Sequence, residues 1–170
     1  MQKYKVLFLG LGRMGFHMSA HLSKSNNIDL FVYNRSKKKV NNWLRTYNAK
    51  KFDFKNQLNI KFDIIITCLK DDFSINQLAS KLLKSSCFHN KTIIIDHSTI
   101  SLSQVEKLND LFNKKKMKFL DAPVTGGEEG AKNGKLSVMV GGNVSKFKIA
   151  LPFIKTYSKS VVYMGNTGSG

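Results

Sequence analysis

Two rhythms of apolar and polar residues take turns along this chain. Val6–Leu9 is a short unbroken apolar run stopped by Gly10, the pattern of a strand buried on both faces. From Met14 to Leu22 the apolar residues recur at helical spacing, so a helix follows at once. Ile28–Tyr33 predicts a second strand. Ser36 then stands where it can cap a helix through about Tyr47, with Val40, Trp43 and Leu44 inward and the lysines outward. The alternation continues with a strand at Phe62–Thr67, a helix from about Asp72 to Leu83, and a buried strand at Lys91–Asp96 around Ile93-Ile94-Ile95. Ser101 or Ser103 caps a helix through Phe112. Strands at Met117–Leu120 and Leu136–Val140, a helix near Val144–Tyr157 and a strand at Val161–Met164 complete the pattern.

Strands separated by helices of this length imply right-handed crossovers and a sheet that is mainly parallel, with helices on both faces. The fold class expected is α/β, a Rossmann-type doubly wound domain. In such a domain ligands bind beyond the carboxyl ends of the strands. A chain of 170 residues suits a single domain of this kind.

Charge adds one unusual feature. Lysine and arginine total 28 against 11 acidic residues, a formal net charge of +17. A basic domain raises nucleic acid as a partner. The lysines are spread along the chain, however, and the arginines are only Arg13, Arg35 and Arg45, whereas base-edge recognition favours arginine. Solvated helix faces and loops account for the lysines, nucleic acid is not expected as a partner, and the field still favours an anionic cofactor. Cys68 and Cys87 stand apart, with no metal-ligand spacing, and read as thiols in a reducing compartment. No run approaches the roughly 20 apolar residues of a membrane span, and the N-terminal apolar run is too short for a signal peptide. A cytoplasmic protein without a membrane partner is expected.

The chemistry begins at Gly10-Leu11-Gly12-Arg13-Met14-Gly15, a GxGxxG between a strand and a helix, the context that makes the motif specific for a dinucleotide. Gly10 allows the turn, Gly12 lets backbone approach a pyrophosphate, and Gly15 lets helix pack on strand. The helix start offers unpaired N–H groups and partial positive charge. At the end of the second strand an NAD site carries Asp or Glu for the ribose 2′-hydroxyl. Here the chain reads Tyr33-Asn34-Arg35-Ser36. No carboxylate repels a 2′-phosphate, Arg35 can fork onto it, and Asn34 and Ser36 can donate further bonds. NADP(H) is preferred, with NAD(H) as the alternative.

Together these motifs resemble the β-hydroxyacid dehydrogenases, a family that includes 3-hydroxyisobutyrate dehydrogenase and the tartronate semialdehyde, glyoxylate and succinic semialdehyde reductases. Gly10–Met18 matches GLGxMGxxM, Asp96–Thr99 matches DxST, and Asp121–Gly127 matches DAPVSGG with Thr125 for the usual serine. Gly130–Gly142 matches GAxxGxLxxMxGG, and Gly165–Gly170 resembles the opening of GxxGxGxxxKxxxN. The resemblance implies that Thr99 lies beside the nicotinamide ribose and that Leu69 lines the adenosine side. Lys70 stands where the family has a smaller or apolar residue. Thr125, Gly126 and Gly127 would hold a substrate carboxylate. The family's general acid/base lysine would fall beyond Gly170, so no lysine of this sequence takes that role. Residues 1–164 would form the NADP-binding domain and 165–170 the start of an interdomain segment. A helical domain, through which the full-length protein would form a homo-oligomer, would follow.

His97 departs from the family's apolar or sulfur-containing residue. At the end of a buried strand it reads as a structural histidine rather than an acid/base, and His17, His21 and His89 show no pattern of a site. The function this implies is hydride transfer between a nicotinamide cofactor and a small β-hydroxy acid or its semialdehyde. The alternatives are a non-catalytic dinucleotide module with a basic nucleic-acid surface, and an imine reductase.

Overall fold

The computed structural model describes residues 3–56 and 60–170. The chain forms β1 (Tyr4–Leu9), α1 (Arg13–Leu22), β2 (Ile28–Tyr33), α2 (Lys37–Leu44), β3 (Lys50–Lys51), β4 (Phe62–Thr67), α3 (Asp72–Lys84) and β5 (Phe88–Asp96). It continues through α4 (Leu102–Lys114), β6 (Lys118–Asp121), β7 (Val124–Thr125), α5 (Gly127–Lys132), β8 (Leu136–Gly142), α6 (Val144–Ile154) and β9 (Ser158–Gly165). The sheet runs in the order β3-β2-β1-β4-β5-β6-β8-β7, with β9 beside β8. Strands β1 to β6 pair in parallel, and the order reverses direction between β1 and β4. β8 is antiparallel to β6 and β7 and parallel to β9. This is the doubly wound, mainly parallel sheet that the alternation implies.

The unbroken apolar runs are explained by burial on two faces. Val6 and Phe8, Ile64 and Ile66, and Ile93 and Ile95 face the helices α1, α2 and α6. Leu7 and Leu9, Ile65 and Ile94 face α3 and α4. Fully burying each of these side chains contributes about 1.5–3 kcal/mol, so a polar residue anywhere in the runs would be costly. Trp43 locks the first layer: it is wholly buried, and its Nε1 donates to the Phe16 carbonyl at 3.0 Å, tying α2 to α1.

Several boundaries differ from the pattern for physical reasons. α2 stops at Leu44, and the chain then turns through bonds such as Tyr47 N to Trp43 O at 3.1 Å. Tyr47 still packs on Trp43 and Phe16, so its helical spacing reflects burial rather than helix. Ser36 occupies the N-cap position of α2, but its side chain makes no capping bond. Ser101, not Ser103, caps α4 by accepting from Gln104 N. β3, β7 and α5 lie where the pattern predicts no element, since each is short and mostly exposed. β9 is longer than predicted and leaves Val162, Tyr163 and Met164 exposed. No helix among the described residues is long and apolar enough to cross a membrane.

A buried polar tie fixes the carboxyl end of the sheet. His97 follows β5, with Nδ1 2.6 Å from the Ala122 carbonyl and Nε2 2.8 Å from the Tyr157 hydroxyl. A carbonyl only accepts, so Nδ1 carries the hydrogen and Nε2 accepts from Tyr157. Burial lowers the His97 pKa to about 4, and the ring stays neutral. It is a satisfied structural histidine joining the ends of β5, β6 and α6. Replacing Tyr157 by Phe leaves Nε2 buried without a partner, which costs about 1–3 kcal/mol. For a chain of this size Tm should fall by roughly 2–12 °C in calorimetry. An unchanged Tm would show that the tie contributes nothing.

Candidate dinucleotide site

The turn from β1 into α1 is built by chain crowding on itself. Gly10 has φ +110°, and a Cβ there would run into the Cys68 carbonyl oxygen. A Cβ on Gly15 would collide with the Gly10 carbonyl oxygen. These two glycines serve the fold. Gly12 is different: its φ is −75°, open to any residue, and a Cβ would meet nothing within 4 Å. The space beside Gly12 therefore belongs to a groove rather than to packing, which fits the backbone approach a pyrophosphate requires.

Around this turn the expected residues divide by role. Leu11 is buried, and its N–H donates to Asn34 Oδ1 at 3.0 Å. The side chain of Asn34 is thus committed to holding the glycine turn against the end of β2, while its Nδ2 reaches only the Ser36 carbonyl at 3.5 Å. Arg13 and Met14 stand in the first turn of α1, where backbone N–H groups lack intrahelical partners.

Gly10, Gly12, Asn34, Arg35, Ser36 and Leu69 all line one groove of about 390 Å³ at the carboxyl ends of β1, β2 and β4. Lys39, Lys70 and Lys81 line it too, so with Arg35 it carries four cationic side chains and no carboxylate among its described lining residues. Lys70 is exposed and paired with Asp71 at 3.2 Å. The contribution of Lys39 was recoverable from the sequence. It lies in the first turn of α2, and side chains there lean back toward the helix start. Lys81 reaches the groove from α3, a packing relation that no local pattern carries.

Thr99 lies elsewhere, in a second cavity of about 270 Å³ shared with Asp96, Ser98, Asp121 and Pro123. Ser98 links the two sites, its Oγ accepting from Leu69 N at 3.0 Å. Thr125, Gly126 and Gly127 are exposed at the β7–α5 corner and line neither cavity. The corner is held toward α1, where His21 Nε2 lies 3.1 Å from Ala131 O and 3.0 Å from Lys132 O.

Two carboxylates sit at the inner end of the second cavity. Asp96 and Asp121 are register partners on β5 and β6, and both are buried. Asp96 Oδ1 accepts from Thr67 Oγ1 at 2.7 Å and Ser98 N at 3.0 Å, while Oδ2 is buried with no partner. Burial raises the Asp96 pKa to about 6, against hydrogen bonds from Ser98 and Thr67 and with the added charge of Asp121. The half-buried Cys68 thiol is pushed up to about 12, chiefly by desolvation.

A doubly wound sheet whose first strand runs through a glycine turn into a groove at its switch point defines an NAD(P)-binding domain. Comparison agrees: the family described as the NAD binding domain of 6-phosphogluconate dehydrogenase matches residues 5–165. The chain belongs to that family, and within it to the N-terminal nucleotide-binding domains of the β-hydroxyacid dehydrogenases. An uncharacterized oxidoreductase of Shewanella frigidimarina is 37% identical over 98% of this chain and 57% of its own length. The solved 3-hydroxyisobutyrate dehydrogenase of Mycobacterium tuberculosis, with L-serine, superposes at TM-score 0.87 with 27% identity, covering 99% of this chain and 57% of that one. Psf3 in complex with NADP+ and 2-OPP superposes at TM-score 0.82 with 27% identity, over 96% and 57%. The chain thus spans somewhat more than half the length of these relatives.

Gly12→Ala, whose new Cβ meets nothing within 4 Å, should shift Tm by no more than a few degrees, roughly the cost of losing a favoured N-cap residue, yet weaken dinucleotide binding by roughly tenfold or more in calorimetric titration. Undiminished binding would place the pyrophosphate elsewhere. Asp96→Asn tests the buried carboxyl. In the folded chain Asp96 holds its proton up to about pH 6, well above the ordinary carboxylate range. Its favourable contribution is therefore complete below the unfolded value and lost as pH rises through the folded one. The Asn variant should gain stability on the wild type by up to about 1.4 kcal/mol per pH unit between pH 4 and 6. A pH-independent difference in denaturant unfolding would refute the raised value.

Proposed function

We propose that this chain is the cofactor-binding part of an oxidoreductase that prefers NADP(H). It would move a hydride between the nicotinamide and a small β-hydroxy acid or its semialdehyde. The single observation carrying the cofactor preference is the end of β2. The acidic residue of an NAD site is replaced there by Asn34, with Arg35 and Ser36 beside it in a groove also lined by Lys39, Lys70 and Lys81. Arg35 has no ion pair among the described residues, and the Ser36 hydroxyl is not used as a cap. A planar guanidinium with a neighbouring ammonium and hydroxyl suits a phosphate dianion better than a ribose hydroxyl.

The nicotinamide supplies or accepts the hydride when bound, and the protein aligns the reactants and excludes water. Gly12 and the first turn of α1 hold the pyrophosphate, Leu69 flanks the adenosine side, and Thr99 sits beside the nicotinamide ribose. Thr125, Gly126 and Gly127 take the substrate carboxylate. L-serine, present with the M. tuberculosis relative, is itself a small acid with a β-hydroxyl, in keeping with this substrate class. By the family motif the proton-transferring lysine lies beyond Gly170, with residues 165–170 opening the crossing to a helical second half. Residues 1–170 alone should then bind cofactor and turn over almost nothing.

Arg35→Ala should weaken NADPH binding by about tenfold or more, a loss near 1.4 kcal/mol, and leave NADH almost untouched, as read by calorimetric titration. Equal losses for both nucleotides would refute the preference. Oxidation of 3-hydroxyisobutyrate, or reduction of glyoxylate or succinic semialdehyde, by the whole natural polypeptide tests the substrate class. Inactivity on all such acids and semialdehydes would refute it.

A further inference from the structure

We propose that Asp121 is a positioning residue that clamps the glycine-rich segment after β9 onto the carboxyl end of the sheet, through hydrogen bonds from the amides of Gly168 and Gly170 to its two carboxylate oxygens. The inference rests on the oxidoreductase reading above. It assigns a physical task to an aspartate and a glycine spacing that the cofactor site does not use. Gly168 N donates to Asp121 Oδ1 and Gly170 N to Oδ2, each at 2.8 Å. Asp121 is 4% exposed, so both bonds are shielded from water.

The surrounding glycines are shaped by this clamp. Gly141 is the register partner of Asp121 on β8, and a Cβ there would lie 2.6 and 2.8 Å from the carboxylate oxygens and 2.8 Å from the Asn166 carbonyl. Gly170 presses so close that a Cβ would lie 2.7 Å from both Asp121 O and Oδ2. Gly168 has φ +88°, and a Cβ there would meet Leu102 Cδ1 of α4 at 2.6 Å. Between them Ser169 N donates to Asn166 O at 3.0 Å, closing a turn. The GxxG and GxG spacing of residues 165–170 is therefore the imprint of a loop folded down on one carboxylate.

The clamp has a direction. Gly168 and Gly170 line the same cavity as Thr99 and Ser98. Asp121 therefore sets the distance between this segment and Thr99, the residue proposed to flank the nicotinamide ribose. Asparagine cannot replace it: one oxygen becomes an NH₂ group facing a backbone N–H. In the proposed enzyme a loosened segment would misplace the groups that follow it without disturbing the distant groove at Gly12 and Arg35.

The test uses the whole natural polypeptide with Asp121→Asn and, as a second variant, Gly141→Ala, which displaces the carboxylate while leaving it chemically intact. Both should lower kcat by roughly 30-fold or more, as misplacement by an ångström does. Both should also hold the NADPH dissociation constant within about twofold and speed amide hydrogen exchange at Gly168 and Gly170 by tenfold or more. A kcat and exchange pattern equal to wild type in Asp121→Asn would overturn the clamp. So would an equal loss of NADPH binding, the mark of general unfolding. If neither variant folds, exchange in the wild type decides: Gly168 and Gly170 must be protected relative to Thr167. A wild type inactive on every β-hydroxy acid refutes the proposed reaction, while the exchange measurement still judges the clamp.

Discussion

The closeness of two backbone segments at the end of β1 governs the rest of the molecule. Gly15 lies against the Gly10 carbonyl, and Gly10 lies against the Cys68 carbonyl, both nearer than any side chain allows. This crowding drops the start of α1 directly onto the strand ends, where Gly10 and Gly12 line the groove. The parallel sheet holds β1 and β4 in register from Val6 opposite Ile64 to Leu9 opposite Thr67. The order reversal at that pair leaves a crevice that no crossing helix covers. Site and fold are therefore a single constraint seen from two sides.

The carboxyl edge of the sheet is costly to build and correspondingly rigid. Thr67, Asp96, His97, Ser98 and Asp121 are all buried there. Burying polar groups is tolerable only when they are bonded, and nearly every one is: to a neighbouring strand end, to a loop amide or to Tyr157. The exception is Asp96 Oδ2, on the strand residue in register with Asp121. Such an edge resists rearrangement, which suits a platform that must align two reactants.

How much could be read from the residues alone varied with how local the cause was. β2 and β4 begin and end where their apolar runs do, because burial on both faces writes itself into consecutive residues. The glycine turn was legible for the same reason: strand, turn and helix start are contiguous. β7 and α5 were not, since Val124-Thr125 and Gly127–Lys132 are too short for a period and are stabilised by β8 and α1. Ser36 has the chemistry of a cap and the position of one, yet leaves its hydroxyl unused. Asn34 bonds the turn itself, accepting from Leu11 N at 3.0 Å. Thr99 and Leu69, both assigned to the cofactor, fall in different cavities, a separation only the fold could reveal.

The wholly buried indole of Trp43 has a practical corollary. It is the chain's one tryptophan, and it bridges the two helices that follow β1 and β2 through its bond to the Phe16 carbonyl. Its ultraviolet emission is therefore a built-in optical gauge of that layer. The signal is blue-shifted while α1 and α2 stay docked and moves to longer wavelength when they part, with no label attached.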